Sequence, residues 1–153
     1  MKNTSRNPFV FLLAIITTII IISPDMFAQE GSIKLLALVE KGQNVSGAVV
    51  DLYLEILSGK ERVFLETVPL TKIATQVSMR FAQQIACKEV DAACENYDFF
   101  YTIRGFPGVG GGPSAGAAAT VLTVSLLKNI PLDESVAISG TINSGGLIGP
   151  VGG

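Results

Sequence analysis

Between Arg104 and Lys128 the chain carries no charged side chain at all. The second part of that interval runs Ser114-Ala115-Gly116-Ala117-Ala118-Ala119-Thr120-Val121-Leu122-Thr123-Val124-Ser125-Leu126-Leu127. It predicts a helix from Ser114 to about Lys128, ended by Asn129-Ile130-Pro131. A helix that is apolar on every side has no face to offer water, so it belongs at the centre of the domain. It is also shorter than the roughly 20 residues that a membrane span needs.

The first part of the interval, Gly105 to Gly116, is a glycine loop. Glycine at this density allows backbone conformations that a side chain forbids. Ser114 stands near the end of the loop, at the mouth of the helix, and three roles are open to it. It can cap the helix. The loop amides and the helix N-terminus can hold an anion. Or its hydroxyl can attack a carbonyl while backbone N–H groups stabilise the oxyanion. The loop is not a Walker loop, because no Gly-Lys-Ser/Thr follows at the required spacing.

Composition narrows these choices. The chain has no histidine, which removes Ser-His-Asp catalysis and most zinc sites from these residues. A nucleophilic Ser114 therefore needs another base, and a desolvated lysine with a lowered pKa is the usual substitute. A net charge of −2 with no basic run lacks the footprint of nucleic-acid binding. No metal site and no cofactor is expected.

At 153 residues the chain is one domain's worth. Part of its 48% apolar content comes from Phe9 to Ile22, an uncharged run preceded by Lys2 and Arg6. That order is the mark of an export signal. Residues 1–28 are either a signal peptide cleaved after Ala28 or a retained membrane anchor; an ordinary buried element is the remaining alternative. Export would permit Cys87 and Cys94 to pair. Residues seven apart on one helix are about 10.5 Å apart along its axis, so pairing requires the helix to end near Val90. A disulfide and two buried thiols both remain open. Asn44-Val45-Ser46 is a glycosylation sequon in an expected turn.

The other elements follow from periodicity. Gly31 to Glu40 reads as a strand. Ala48 to Leu57 alternates, with Val50, Leu52, Leu54 and Ile56 on one face and Asp51, Tyr53 and Glu55 on the other. Ser58 to Glu61 is a turn that returns the chain along Arg62 to Val68 as the hairpin partner of that strand, stopped by Pro69. Thr71 is expected to cap a helix to about Val90 whose inner face is Ile73, Val77, Phe81 and Ile85, with Ala74, Ala82 and Ala86 beside them. Tyr97 to Arg104 is aromatic and β-branched, hence a strand. Ser135 to Gly140 is expected to be another strand, followed by a turn at Asn143 to Gly146 and a return strand from Leu147.

Taken together, Gly112-Pro113-Ser114-Ala115-Gly116, the apolar helix, Ile138-Ser139-Gly140 and Gly149-Pro150-Val151-Gly152-Gly153 resemble the proteolytic domain of Lon-type proteases. The family has Gly-Pro-Ser-Ala-Gly, a Thr-Gly-Glu strand and a Pro-Val-Gly-Gly turn in that order. The likeness extends from about Ile33 to Gly153. With an export signal and no ATPase module, it is nearest to the exported Lon-like serine proteases of archaea.

The resemblance implies an α+β domain over residues 32–153, incomplete at its C-terminus, with a mixed sheet and packed helices. It implies an ATP-independent serine peptidase acting on peptides or unfolded proteins, tethered to a membrane or exported, and able to form a homo-oligomeric ring. The family works through a Ser–Lys dyad: Ser114 matches its nucleophile, and its lysine falls about four residues beyond the Pro-Val-Gly-Gly turn, past Gly153. The fragment is therefore expected to be inactive. Ser139 matches the hydroxyl of the Thr-Gly-Glu strand and is a candidate support for the lysine.

Two positions depart from the pattern: Gly111 stands where the family often has an acid, and Thr141 where it has Glu. Small-molecule kinases of the GHMP type also resemble this arrangement through Phe106-Pro107-Gly108-Val109-Gly110, but Pro113 removes an N–H that a phosphate would need; the third reading is a non-catalytic binding module in which Ser114 only caps its helix.

Overall fold

The computed structural model describes residues 28–41, 44–68, 70–105 and 111–152. Residues 1–27 of the expected signal or anchor, with Gly42, Gln43, Pro69, Phe106 to Gly110 and Gly153, lie outside the described residues, and the last residue of that segment, Ala28, is described. β1 (Ala28–Lys41) and β2 (Asn44–Ser58) form a long antiparallel hairpin in register from Ala28↔Leu57 to Lys41↔Asn44. β3 (Val63–Thr67), α1 (Ile73–Val90) and β4 (Tyr97–Arg104) follow, then α2 (Gly116–Lys128) and β5 (Ala137–Ile138). β6 (Thr141–Ile142) and β7 (Ile148–Gly149) form a small antiparallel hairpin of their own.

The main sheet has the order β3-β4-β2-β1-β5 and is mixed: β1–β2 and β2–β4 are antiparallel, β3–β4 and β1–β5 parallel. Both helices lie on one face, α2 over β1 and β2 and α1 beside it towards β3. This is a two-layer α+β fold. Among the described residues no helix is long and apolar enough to cross a membrane.

The alternation of β2 is realised as expected. Val50, Leu52, Leu54 and Ile56 are buried under the helices, while Tyr53 and Glu55 face water. Burying side chains of this size stabilises the fold by about 1.5–3 kcal/mol each. Phe99, Tyr101 and Ile103 of β4 join the same layer. From Gly116 to Leu127 no residue of α2 is exposed, in keeping with its lack of charge. Its polar members are satisfied internally. Thr123 Oγ1 donates to Ala119 O at 2.7 Å, so the buried Tyr101 hydroxyl donates to Thr123 Oγ1, also at 2.7 Å. Burial pushes the Tyr101 phenol well above its ordinary pKa.

Two expectations about partners fail. β3 is not the hairpin partner of β2, because β4 lies between them and pairs with β2 over Asp51–Ser58. The reason lies in the turn. Lys60 N and Arg62 N donate to Asp98 Oδ1 at 2.8 and 3.0 Å, and the Arg62 guanidinium pairs with Oδ2. Gly59 N and Glu61 N donate to Asn96 O and Tyr97 O. The chain leaving β2 thus wraps around the start of β4 and descends on its far side. A Cβ at Gly59 would lie 2.1 Å from the Asp98 carboxyl carbon, so only glycine fits there.

The inner face of α1 is also rotated from the expected one. Ala82, Ile85 and Ala86 are buried as expected, but Thr75, Ser78, Met79 and Gln83 join them, while Ile73 and Val77 are 78% and 41% exposed. α1 packs against α2, and small and hydroxylated side chains on its buried face suit such a helix–helix contact. Thr71 is not the cap; the N-cap is Lys72, which makes no side-chain cap bond. At the other end the helix stops at Val90, Asp91 turns left-handed (φ 52°), and Cys87 and Cys94 form a disulfide with a Cα–Cα distance of 6.0 Å.

Candidate functional site

Ser114 lies at the end of the sheet from which the β1–β2 hairpin projects. Gly111, at φ 129°, passes so close to the first turn of α1 that a Cβ there would lie 2.4 Å from Thr71 Oγ1 and 2.6 Å from Thr75 Oγ1. Two hydroxyls of α1 then hold the chain ahead of Ser114. Thr75 Oγ1 donates to Gly112 O at 3.1 Å, and Ser78 Oγ is shared between Ala74 O (2.9 Å) and Pro113 O (3.4 Å). Pro113–Ala115 forms a single 3₁₀ turn, with Ser114 half-buried.

The other side of the turn is fixed by Gly140. Its N–H donates to Ser114 O at 2.9 Å, and its carbonyl accepts from Ala117 N at 3.0 Å. The second bond is decisive for Ser114. The residue at the N-cap of α2 is Ala115, with no side-chain cap bond, and the first-turn amide of Ala117 is satisfied by Gly140 from elsewhere in the chain. The capping role open to Ser114 is therefore not the one it plays. Among the described residues its hydroxyl makes no hydrogen bond; it lies 4.0 Å from where a Cβ of Gly112 would stand, on the loop side of the turn.

Gly140 can make this bridge because it has no side chain. A Cβ there would meet Ala117 Cβ and Ile148 Cγ2, each at 3.0 Å. It follows β5, whose parallel pairing with Lys34 and Leu35 of β1 carries the chain to the level of the turn. Ser139, the candidate support, is half-buried immediately before Gly140, so it adjoins Ser114 through the backbone of its neighbour. β6 and β7 close over the start of α2. Gly116 approaches Ile142 so closely that a Cβ would lie 2.6 Å from its Cγ2 and 3.0 Å from its backbone N. The hairpin between them is built on Asn143, whose Oδ1 accepts from Gly145 N and Leu147 N.

Among the described side chains no lysine hydrogen-bonds to Ser114, though the backbone N of Lys72 would lie 3.1 Å from a Cβ at Gly111. Lys128, in the last turn of α2, is about 20 Å from Ser114 along the helix. Lys34 Nζ donates to Glu134 O at 3.1 Å, Lys60 belongs to the Asp98 turn, and Lys88 is in the last turn of α1. Lys72 is exposed at the N-cap of α1. None of these makes a hydrogen bond to Ser114. Among the described residues no group of three or more His, Cys, Asp or Glu could hold a metal ion.

The chain matches no protein-family model and no curated protein.

The clamp formed by Thr75 and Ser78 went unread in the sequence. Its signal was there: two hydroxyl residues three apart on one helix, which share a face. The bridge by Gly140 had no comparable signal, since a glycine between two strands announces neither of its hydrogen bonds.

Proposed function

We propose that residues 32–153 are the nucleophile-bearing part of a Lon-type serine peptidase, with Ser114 as nucleophile and a lysine from outside this sequence as its base. The observation that supports this most is the condition of Ser114. Its turn is held at Gly112 O, Pro113 O and its own carbonyl, and its helix is capped by Gly140. The hydroxyl is left without a structural task among the described residues. A serine held this firmly by its backbone with a free side chain suits nucleophilic attack, which requires a fixed approach geometry.

In this reading Ser114 Oγ attacks the scissile carbonyl while a neutral lysine amine takes its proton. Backbone N–H groups of the loop stabilise the oxyanion, the amine of the leaving peptide departs protonated by the lysine, and water hydrolyses the acyl-serine. Ser139 orients the lysine. An extended peptide is the substrate class that fits. Beyond Leu35, β1 has no strand partner on the β5 side, and before Asp51, β2 has none on the β4 side, among the described residues. Both edges offer main-chain donors and acceptors beside the site. No ATP is required, and residues 1–28 export or tether the protein.

The test uses the longer protein containing this chain and a labelled unfolded substrate without nucleotide. Cleavage that disappears in Ser114→Ala, with far-UV and near-UV spectra unchanged, supports the assignment. Retained cleavage refutes Ser114 as nucleophile. Ser114-dependent hydrolysis by the 153-residue chain alone refutes an external base. Saturable nucleotide binding would transfer the reading to a GHMP-type kinase.

A further inference from the structure

The outward face of α1 is unlike an ordinary wet helix face. Ile73, Val77, Arg80, Gln84 and Lys88 follow one another at spacings of three and four, which aligns them in one stripe. All five are exposed. The stripe begins apolar, with Ile73 and Val77 in water, and Val68 and Leu70 just ahead of the helix are 71% and 78% exposed. It ends cationic, with Arg80 and Lys88, and Lys72 stands exposed at the N-cap. Between Glu66 and Glu89 the chain has no acidic residue. Glu66 belongs to the other side of the sheet: it pairs across the strands with Thr102, which alternates with the buried Tyr101 and Ile103 and donates to the Glu66 carboxylate. Glu89 follows Lys88 in sequence and so falls off the stripe.

Charge decides what can cover such a face. A second copy docked face to face about a two-fold axis would set these cations against their own equivalents, which repel. An anionic bilayer offers the complement of both parts, phosphates for the cations and a headgroup–acyl boundary for the apolar side chains. We propose that the outward face of α1 rests on an anionic membrane surface. Leu70, Ile73 and Val77 enter the acyl boundary, and Lys72, Arg80 and Lys88 pair with lipid phosphates. The helix lies on the bilayer without crossing it, because its inner face stays packed on α2. The open edges of β1 and β2 belong to the sheet layer, on the far side of α1, and remain free. The proposal is independent of the peptidase reading.

The chain has no tryptophan, so a single introduced indole reports one face. Ile73→Trp and Tyr53→Trp are made in the full chain; Tyr53 faces water on the side of the sheet away from the helices. Each is reconstituted in vesicles of phosphatidylcholine alone or of equimolar phosphatidylcholine and phosphatidylglycerol, with and without lipid brominated along its acyl chains. Residues 1–28 can hold the chain at either vesicle, so the readout is which face touches lipid. In the anionic vesicles the indole of Ile73→Trp is expected to emit further to the blue and to be quenched roughly twice as strongly as that of Tyr53→Trp, or more. Adding Lys72→Glu, Arg80→Glu and Lys88→Glu together removes the excess, since each basic side chain contributes roughly fivefold to binding at such a surface. Equal quenching of the two indoles in anionic vesicles overturns the proposal, as does the same excess in phosphatidylcholine alone. A blue shift of Ile73→Trp without lipid that grows with protein concentration assigns the face to a second copy and overturns it too.

Discussion

Replacing Gly116 by alanine sets two effects of opposite sign against each other. Alanine is the better helix former by about 1 kcal/mol in a helix interior, and by less in a first turn. Against that gain stands the contact with β6. The added Cβ would lie 2.6 Å from Ile142 Cγ2 and 3.0 Å from Ile142 N. The methyl can rotate away, but the backbone nitrogen belongs to a paired strand (Thr141↔Gly149, Ile142↔Ile148) and cannot yield without shifting the hairpin. Overpacking of this kind costs about 1–3 kcal/mol. The clash wins, and Gly116→Ala is expected to lose about 1–2 kcal/mol net, or roughly 2–8 °C of melting temperature for a chain of this size.

Urea unfolding followed by far-UV circular dichroism reads the change. Two further glycines calibrate it. Gly112→Ala brings the new Cβ no nearer than 4.0 Å to Ser114 Oγ, and Gly47→Ala meets nothing, so both should stay within about 0.5 kcal/mol of the parent. An unchanged or raised midpoint for Gly116→Ala would refute the close approach of β6 to α2, and with it the account of how the Ser114 turn is held.

Other substitutions separate structure from chemistry. Ser114→Ala should change stability by less than about 0.5 kcal/mol, because the hydroxyl caps nothing; a loss in the range of about 0.5–2 kcal/mol, typical of a removed cap, would restore the capping role. Thr75→Val should cost about 1 kcal/mol by freeing the Gly112 carbonyl, and should slow acylation of Ser114 in the longer protein, read with a serine-directed phosphonate. The Arg62 guanidinium beside Asp98 holds its carboxyl well below the usual carboxylate range. A depressed carboxyl contributes stability in full above its unfolded pKa of about 4, and loses it as pH falls through the folded value. Asp98→Asn should therefore flatten the acid limb of a stability-versus-pH curve, and an unaltered limb would exclude the ion pair as its source. Reduction of Cys87–Cys94, which closes a short loop, should lower stability by about 2–3 kcal/mol, checked by melting with and without reductant.

What the sequence made legible was whatever a single element decides for itself. The uncharged helix had to be buried, because no arrangement gives it a wet face. The alternation in β2 had to put Leu52 and Leu54 inward, because a strand has only two faces. Partnerships between elements were harder. A turn after β2 suggests a hairpin to β3, and only the Asp98 carboxylate, placed long after that turn in sequence, sends the chain past one strand position. The recurrence of Ile73, Val77, Phe81 and Ile85 at every fourth residue is a sound apolar stripe. Only its C-terminal part is buried, at Ala82, Ile85 and Ala86; towards the N-terminus Thr75, Ser78 and Met79 take the inner place and Ile73 and Val77 are exposed. At the site, Ser114 was visible as a hydroxyl after glycines, but the groups that hold its turn are contributed by α1 and by Gly140. No local pattern reports a bond made across that distance.

The bridge by Gly140 also sets a clock. A chain emerging from the ribosome presents the glycine loop and α2 before it presents Gly140. Twelve residues separate Lys128 from Gly140, about one second of synthesis at ordinary rates. Until that segment arrives, the amide of Ala117 has no partner and the carbonyl of Ser114 is unanchored, so the serine is chemically present but geometrically loose. For a protein that would cut unfolded chains, this order of assembly delays a competent nucleophile until most of its own domain has already emerged.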